Sequence, residues 1–89
     1  MIGKCELCDR ENELTFHHLI PKSQHKNKWF KKNYTRIEMA KGINVCKYDC
    51  HREIHYMITE KELGRSFNTL EKLKRHLKIK KYTKYIKNQ

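Results

Sequence analysis

Acidic residues are missing from two long stretches of this chain. None stands between Lys22 and Arg36, and none follows Glu71. Over the whole sequence 21 Lys and Arg face 10 Asp and Glu, a net charge of +11. So strong and clustered a positive field points to a polyanion partner, most simply nucleic acid. Long apolar runs are missing too. No segment approaches the roughly 18 apolar residues of a membrane span, so no membrane partner is expected. The opening residues, MIGKCELCDREN, carry charges at Lys4, Glu6, Asp9 and Arg10 and no apolar run, which does not fit a secretory signal. Hydrophobic residues make up 37% of the 89, below the usual share for a globular domain. One small domain over 1–89 with so thin a core needs a staple, either disulfides or a metal. Internal repeats and low-complexity tracts are also absent.

What is present is a set of metal-ligand residue types. Cys5 and Cys8 form a CxxC, the spacing at which a tight turn aims two thiolates at one ion. The stretch 45–58, VCKYDCHREIHYMI, adds Cys46, Cys50, His51 and His55. His51 and His55 are four residues apart, so on a helix they project from one face. Cys50 and His51 are neighbours and point about 100° apart there, so one segment can serve two sites. Without a secretory signal the expected compartment is reducing and cytoplasmic, where paired cysteines bind metal more often than they form disulfides.

The pattern of apolar and turn residues sets out the elements. Residues 1–12 read as a turn around the CxxC. Residues 13–20, ELTFHHLI, read as a strand with Leu14, Phe16 and His18 on one face and Thr15, His17 and Leu19 on the other. Pro21 ends it. Residues 22–41 form a long basic connection in which Trp29, Phe30 and Tyr34 interleave with lysines. Lys22, Lys26, Lys28, Lys31 and Lys32 are the expected phosphate contacts, while Trp29 and Phe30 pin the loop to a small core. Thr35 with Glu38 is a capping box for a short helix over 36–41. Residues 43–46 give a second strand, antiparallel to the first, and a helix follows over about 50–58. Thr59 with Glu62 starts another helix, to about residue 67, and Asn68 with Glu71 repeats the signal. Leu70, Leu73 and Leu77 keep helical spacing, and Ile79, Tyr82 and Ile86 continue it.

Two sites of different kinds follow. Four thiolates from Cys5, Cys8, Cys46 and Cys50 make a closed tetrahedral zinc site, worth on the order of 10 kcal/mol to folding. The histidines suit an open site. HREIH superficially resembles the zinc-protease signature, but that signature needs Glu directly after the first His. Arg52 stands there, which excludes a protease. His51 and His55 with one strand histidine leave coordination positions free, and free positions serve catalysis. The other strand histidine then suits a general base.

The residues Cys5-x-x-Cys8, Thr15 to Ser23 (TFHHLIPKS), Val45-Cys46 and Cys50 to His55 (CHREIH) together carry a resemblance. The chain resembles the HNH endonucleases of the ββα-metal type, in the subgroup with a four-cysteine zinc site, over roughly residues 5–58. The later NTLEKL is similar to small bacterial and phage-type members. The resemblance implies a small α+β fold with a treble-clef-like ββα-metal core, a β-hairpin and helix, structural zinc, and a C-terminal helical extension over about 59–89. It implies that His17, His51 and His55 hold a catalytic divalent ion (Mg2+, Mn2+, Ni2+ or Zn2+). It gives His18 the role of the base that activates water against a DNA phosphorus. The family's middle Asn, which orients that base, is matched most nearly by Asn44, with Asn27 and Asn33 as alternatives.

The activity implied is hydrolysis of DNA phosphodiester bonds with low sequence specificity. The competing reading is a zinc-stabilised nucleic-acid-binding module without catalytic activity, which explains charge and cysteines but leaves four histidines without a purpose. A homodimer or a targeting partner is compatible with either.

Overall fold

The computed structural model describes residues 1–88. Three strands form one antiparallel sheet in the order β1-β2-β3: β1 Ile2–Lys4, β2 Glu11–His18 and β3 Gly42–Cys46. The helices are α1 Lys28–Asn33, α2 Arg36–Met39, α3 Cys50–Met57, α4 Glu60–Ser66, α5 Leu70–Arg75 and α6 Leu77–Lys87. A single 3-10 turn, Lys22–Gln24, follows Pro21. This is a small α+β protein, and no helix among the described residues is long and apolar enough to cross a membrane.

The strand alternation fixes where the site forms. Cross-strand partners share a face. His17 pairs with Ile43 and Thr15 with Val45, while His18 pairs with Gly42 and Leu14 with Cys46. Ile43, Val45 and His17 are buried on the face toward α3, where Ile54 and Ile58 are also buried. The adjacent histidines therefore look in opposite directions, as the period of two requires. Gly42 has no room for a side chain, because a Cβ there would meet the His17 carbonyl oxygen and the Phe16 ring.

Several boundaries differ from the sequence reading. Residues 2–4 form a strand rather than part of a turn, because they pair with residues 11–13 across the CxxC loop. That loop closes through Cys5 N–H to the Arg10 carbonyl (2.9 Å) and Asp9 N–H to the Cys5 carbonyl (2.9 Å). Asp9 sits at φ 65°, a left-handed conformation that Asp adopts more readily than most residues. The strand carrying the histidines stops at His18 instead of residue 20.

The basic connection holds an unforeseen helix, α1, whose N-cap is Asn27: its Oδ1 accepts from Trp29 N–H at 2.9 Å. Phe30 is buried with Ile20 and Met39 in a second, smaller core, as expected of a pinning residue. Trp29 instead stays on the surface under the Arg65 guanidinium, 4.2 Å from the ring centroid.

The capping box of Thr35 and Glu38 forms in full, and Thr59 caps α4. The helix expected from Asn68 is capped by Thr69 instead. Asn68 is drawn away, because its amide donates to Tyr34 Oη (2.8 Å) and the Gly64 carbonyl (2.9 Å). His76 divides the last helical stretch: its backbone is extended, and its Nδ1 accepts from Lys78 and Ile79 N–H at the start of α6.

Candidate functional site

The CxxC loop and the start of α3 bring the four cysteines together. All four are fully buried, none is in a disulfide, and their sulfurs lie within 4.8 Å of one another. Sγ of Cys8 and Sγ of Cys46 are 3.4 Å apart. A tetrahedral ion with Zn–S bonds of about 2.3 Å spaces its sulfurs by about 3.8 Å, so the cluster has the size of one metal site. Backbone N–H groups of Cys8 and Cys46 each donate to Cys5 Sγ at 3.4 Å. Donors of this kind favour a thiolate.

The thiols alone cannot all ionise. Cys5 is held down to about 4, chiefly by the hydrogen bond from Cys50. Burial, then the sulfurs of Cys8 and Cys5, push Cys46 up to about 12. Cys50 is also raised, first by its hydrogen bond to Cys5 and then by burial. Four crowded sulfurs that oppose each other's charge are the chemistry a soft cation satisfies. The set could hold a metal such as zinc.

The second cluster is built by β2 and α3. His51 and His55, one turn apart, face His17 across the packed interface. The three offer ring nitrogens within 4.8 Å of one another. Nε2 of His55 is 3.2 Å from Nε2 of His51, close to the spacing of about 3.0–3.4 Å for two imidazoles on one ion with bonds of about 2.0–2.1 Å. His17 is 1% exposed, and its Nε2 is buried without a hydrogen-bond partner. A buried ring nitrogen left unpaired costs stability, and a metal would give it a partner. Burial, then the charges of His51, His55 and His18, lower His17 to about 3. Burial and His55 lower His51 as well. Both rings are thus neutral at physiological pH, the form that ligates.

This cluster is open where the cysteine cluster is closed. His55 is exposed, and the three histidines line a cleft of about 290 Å³ with Phe16, His18 and Lys22. His18 is half-buried, with Phe16 edge-on at 4.9 Å and His25 at 5.6 Å between ring centroids. Burial lowers its pKa, helped by His25 and Lys22. Its proton-accepting form therefore persists at neutral pH.

Of the residues singled out in the sequence, all four cysteines meet, His17, His51 and His55 meet, and His18 lines the same cleft. Among the lysines, Lys22 joins the histidine cleft, Lys26 and Lys31 line a neighbouring one, and Lys28 and Lys32 lie outside both. Asn44 does not line the histidine cleft. Its backbone pairs with the CxxC loop, donating to Glu6 Oε2 (2.6 Å) and accepting from Glu6 N–H (3.0 Å). Asn27 and Asn33 serve α1 locally, the latter donating to the Trp29 carbonyl at 2.8 Å. Residues the sequence reading gave no part in the site are Phe16, His25 and Glu60. Glu60 accepts a hydrogen bond from Ser23 Oγ at the cleft wall and ties the 3-10 turn to α4. No periodicity marks His25 or Glu60; only the fold brings them near.

Fold and site together define a small α+β protein with two clusters of metal-ligand residues, one sealed and one open to a cleft that His18, Lys22 and Glu60 also line. The uncharacterized protein YisB of Bacillus subtilis (strain 168) is 32% identical over 88 residues, covering 98% of this chain and 76% of that protein. This chain belongs to the same family as YisB. No family model and no solved structure matches it.

Proposed function

We propose that this protein is a metal-dependent endonuclease of the HNH type, with a ββα-metal core made of β2, β3 and α3, and that it hydrolyses DNA phosphodiester bonds. The observation that carries this reading is the buried, unpartnered Nε2 of His17 meeting His51 and His55 beside a neutral His18 in an open cleft. A pure binding module has no need for such an arrangement. The net charge of +11 supports a polyanionic substrate.

In this reading His17, His51 and His55 hold a divalent ion, and Cys5, Cys8, Cys46 and Cys50 hold structural zinc. A divalent ion in the histidine site supplies Lewis acidity that offsets the charge developing on phosphate and leaving oxygen. His18 accepts the proton of the attacking water as the P–O3′ bond breaks. Lys22 offers a phosphate contact at the cleft wall. The β2 alternation lets His17 ligate while His18 stays free for the proton.

The test is conversion of supercoiled plasmid by metal-stripped, zinc-reconstituted protein with Mg2+, Mn2+, Ni2+ or no addition. Metal-dependent nicking that falls about 100-fold or more in His18→Ala, with DNA binding retained, supports the base. Intact plasmid in every lane with a gel shift still present favours the binding module.

A further inference from the structure

A larger cleft, about 630 Å³, opens beside the histidine cleft. Its wall carries His25, Lys26, Lys31 and Arg36, and its floor includes Tyr34 and Met39. The two clefts adjoin across His25 and His18, whose ring centroids are 5.6 Å apart. The His25 ring is held in place by Nε2–H donating to the Ile20 carbonyl at 2.8 Å.

Each part of this cleft has a matching part in a nucleotide. Lys26, Lys31 and Arg36 are exposed, and none is in an ion pair among the described residues. Their charge is free for phosphate. Glu38, the acid nearest in sequence, is occupied in the Thr35 capping box. Tyr34 is set in advance: its hydroxyl accepts from Asn68 at 2.8 Å, and its ring lies over Phe30 at an interplanar angle of 26°. Met39 is buried beneath. A fixed aromatic with a thioether below it is a surface for a base, and bases gain from stacking whatever their sequence. The volume falls within the range of about 300–1,000 Å³ usual for small-ligand sites.

A base paired within a duplex keeps its faces in the stack and cannot enter such a cleft; an unpaired base can. His18 and His25 meet ring to ring at 5.6 Å, so a strand with its phosphate in the histidine cleft has a nearby nucleotide at the mouth of the larger one. We propose that this cleft is a subsite for an unpaired nucleotide next to the one whose phosphate is cut, so that the preferred substrate is single-stranded, flapped or overhanging nucleic acid. The position of the subsite rests on the nuclease reading of the histidine cleft; its chemistry rests on the lining residues alone.

The experiment is fluorescence anisotropy with the zinc-reconstituted full chain, wild type and Lys31→Ala/Arg36→Ala. The probes are a labelled single strand, the same strand made duplex, and single strands with one abasic nucleotide moved along them. Cleavage of the same probes with Mg2+, Mn2+ or Ni2+ is measured in parallel. The proposal expects the single strand to bind at least about fivefold more tightly than duplex. It expects an abasic nucleotide at a single position near the cut to remove most of that advantage, and the double variant to weaken single-strand binding at least about fivefold more than duplex binding. Equal binding of all probes, or equal weakening of all probes in the variant, overturns the subsite. Cleavage without any preference for unpaired strands overturns the subsite and leaves the nuclease standing. Selective binding lost in the variant, with no cleavage under any metal, supports the cleft and overturns the nuclease reading.

Discussion

His17 separates folding from function most cleanly. Its buried Nε2 has no partner within the protein, so the fold with an empty histidine site should be better off without it. With zinc on the cysteines and no second ion, His17→Leu is expected to raise stability by about 1–3 kcal/mol in urea unfolding, because an apolar group of similar size replaces an unpaired polar one. The sign of its pH dependence follows from burial, which holds the folded-state value at about 3 against an ordinary 6.5. Above the ordinary value both states are neutral and stability is full. As pH falls below it, the unfolded chain takes up a proton that the folded protein refuses, so stability declines until about pH 3. The slope is at most about 1.4 kcal/mol per pH unit. The difference in urea midpoint between wild type and His17→Leu should widen over that window, while a flat difference would mean that His17 is not excluded from protonation. At this scale the cysteines and the opposed histidines were legible, because spacing and alternation are local. The missing partner of His17 and the approach of His25 were not, because both depend on what packs around them.

Among the elements, those written in short-range signals came out as read. Helix α3 begins at Cys50, and Thr35 and Thr59 cap their helices. Strand β1 is three residues long and exists by its pairing with β2, which no local pattern records. The cap of α5 was misplaced by one residue, since Asn68 and Thr69 are both good caps and only the tie from Asn68 to Tyr34 and Gly64 decides between them. Two substitutions test that division. Thr69→Ala should cost about 1 kcal/mol of stability through the lost cap. Asn68→Ala should instead loosen α1 and Tyr34 from α4, seen as faster amide exchange in residues 28–34 with α5 still protected. If Asn68→Ala exposes α5 first, Asn68 is the working cap after all.

Across the whole molecule the thin core is divided, and all four cysteines lie in its larger part. They join the CxxC loop to β3 and α3 at the centre of the larger apolar cluster, which also takes in Leu63, Leu73 and Ile79 from the later helices. With zinc on the four cysteines, as proposed, its removal by a strong chelator, or Cys8→Ser, should therefore unfold the chain cooperatively and not merely free the N-terminus. A loss on the order of 10 kcal/mol is comparable to the whole stability of a domain this size. Circular dichroism before and after chelation, with recovery on re-adding zinc, checks this; unchanged helical signal would mean the core stands without the metal. The separation of a buried cysteine cluster from a more open histidine cluster was readable in outline from the sequence. The larger basic cleft was not, because its lining is gathered from the end of the 3-10 turn, Lys31 of α1 and residues 34–40, and only their packing makes it a cleft.

The central claim is that His17, His51 and His55 hold the ion on which cleavage depends. The most direct measurement is the DNA cleavage rate as a function of Mn2+ concentration, for zinc-reconstituted wild type and His17→Leu side by side. The account predicts a saturable rise in wild type and no response in His17→Leu, although that variant stays folded, keeps its zinc and still binds DNA. A metal response of equal size in both proteins would contradict it.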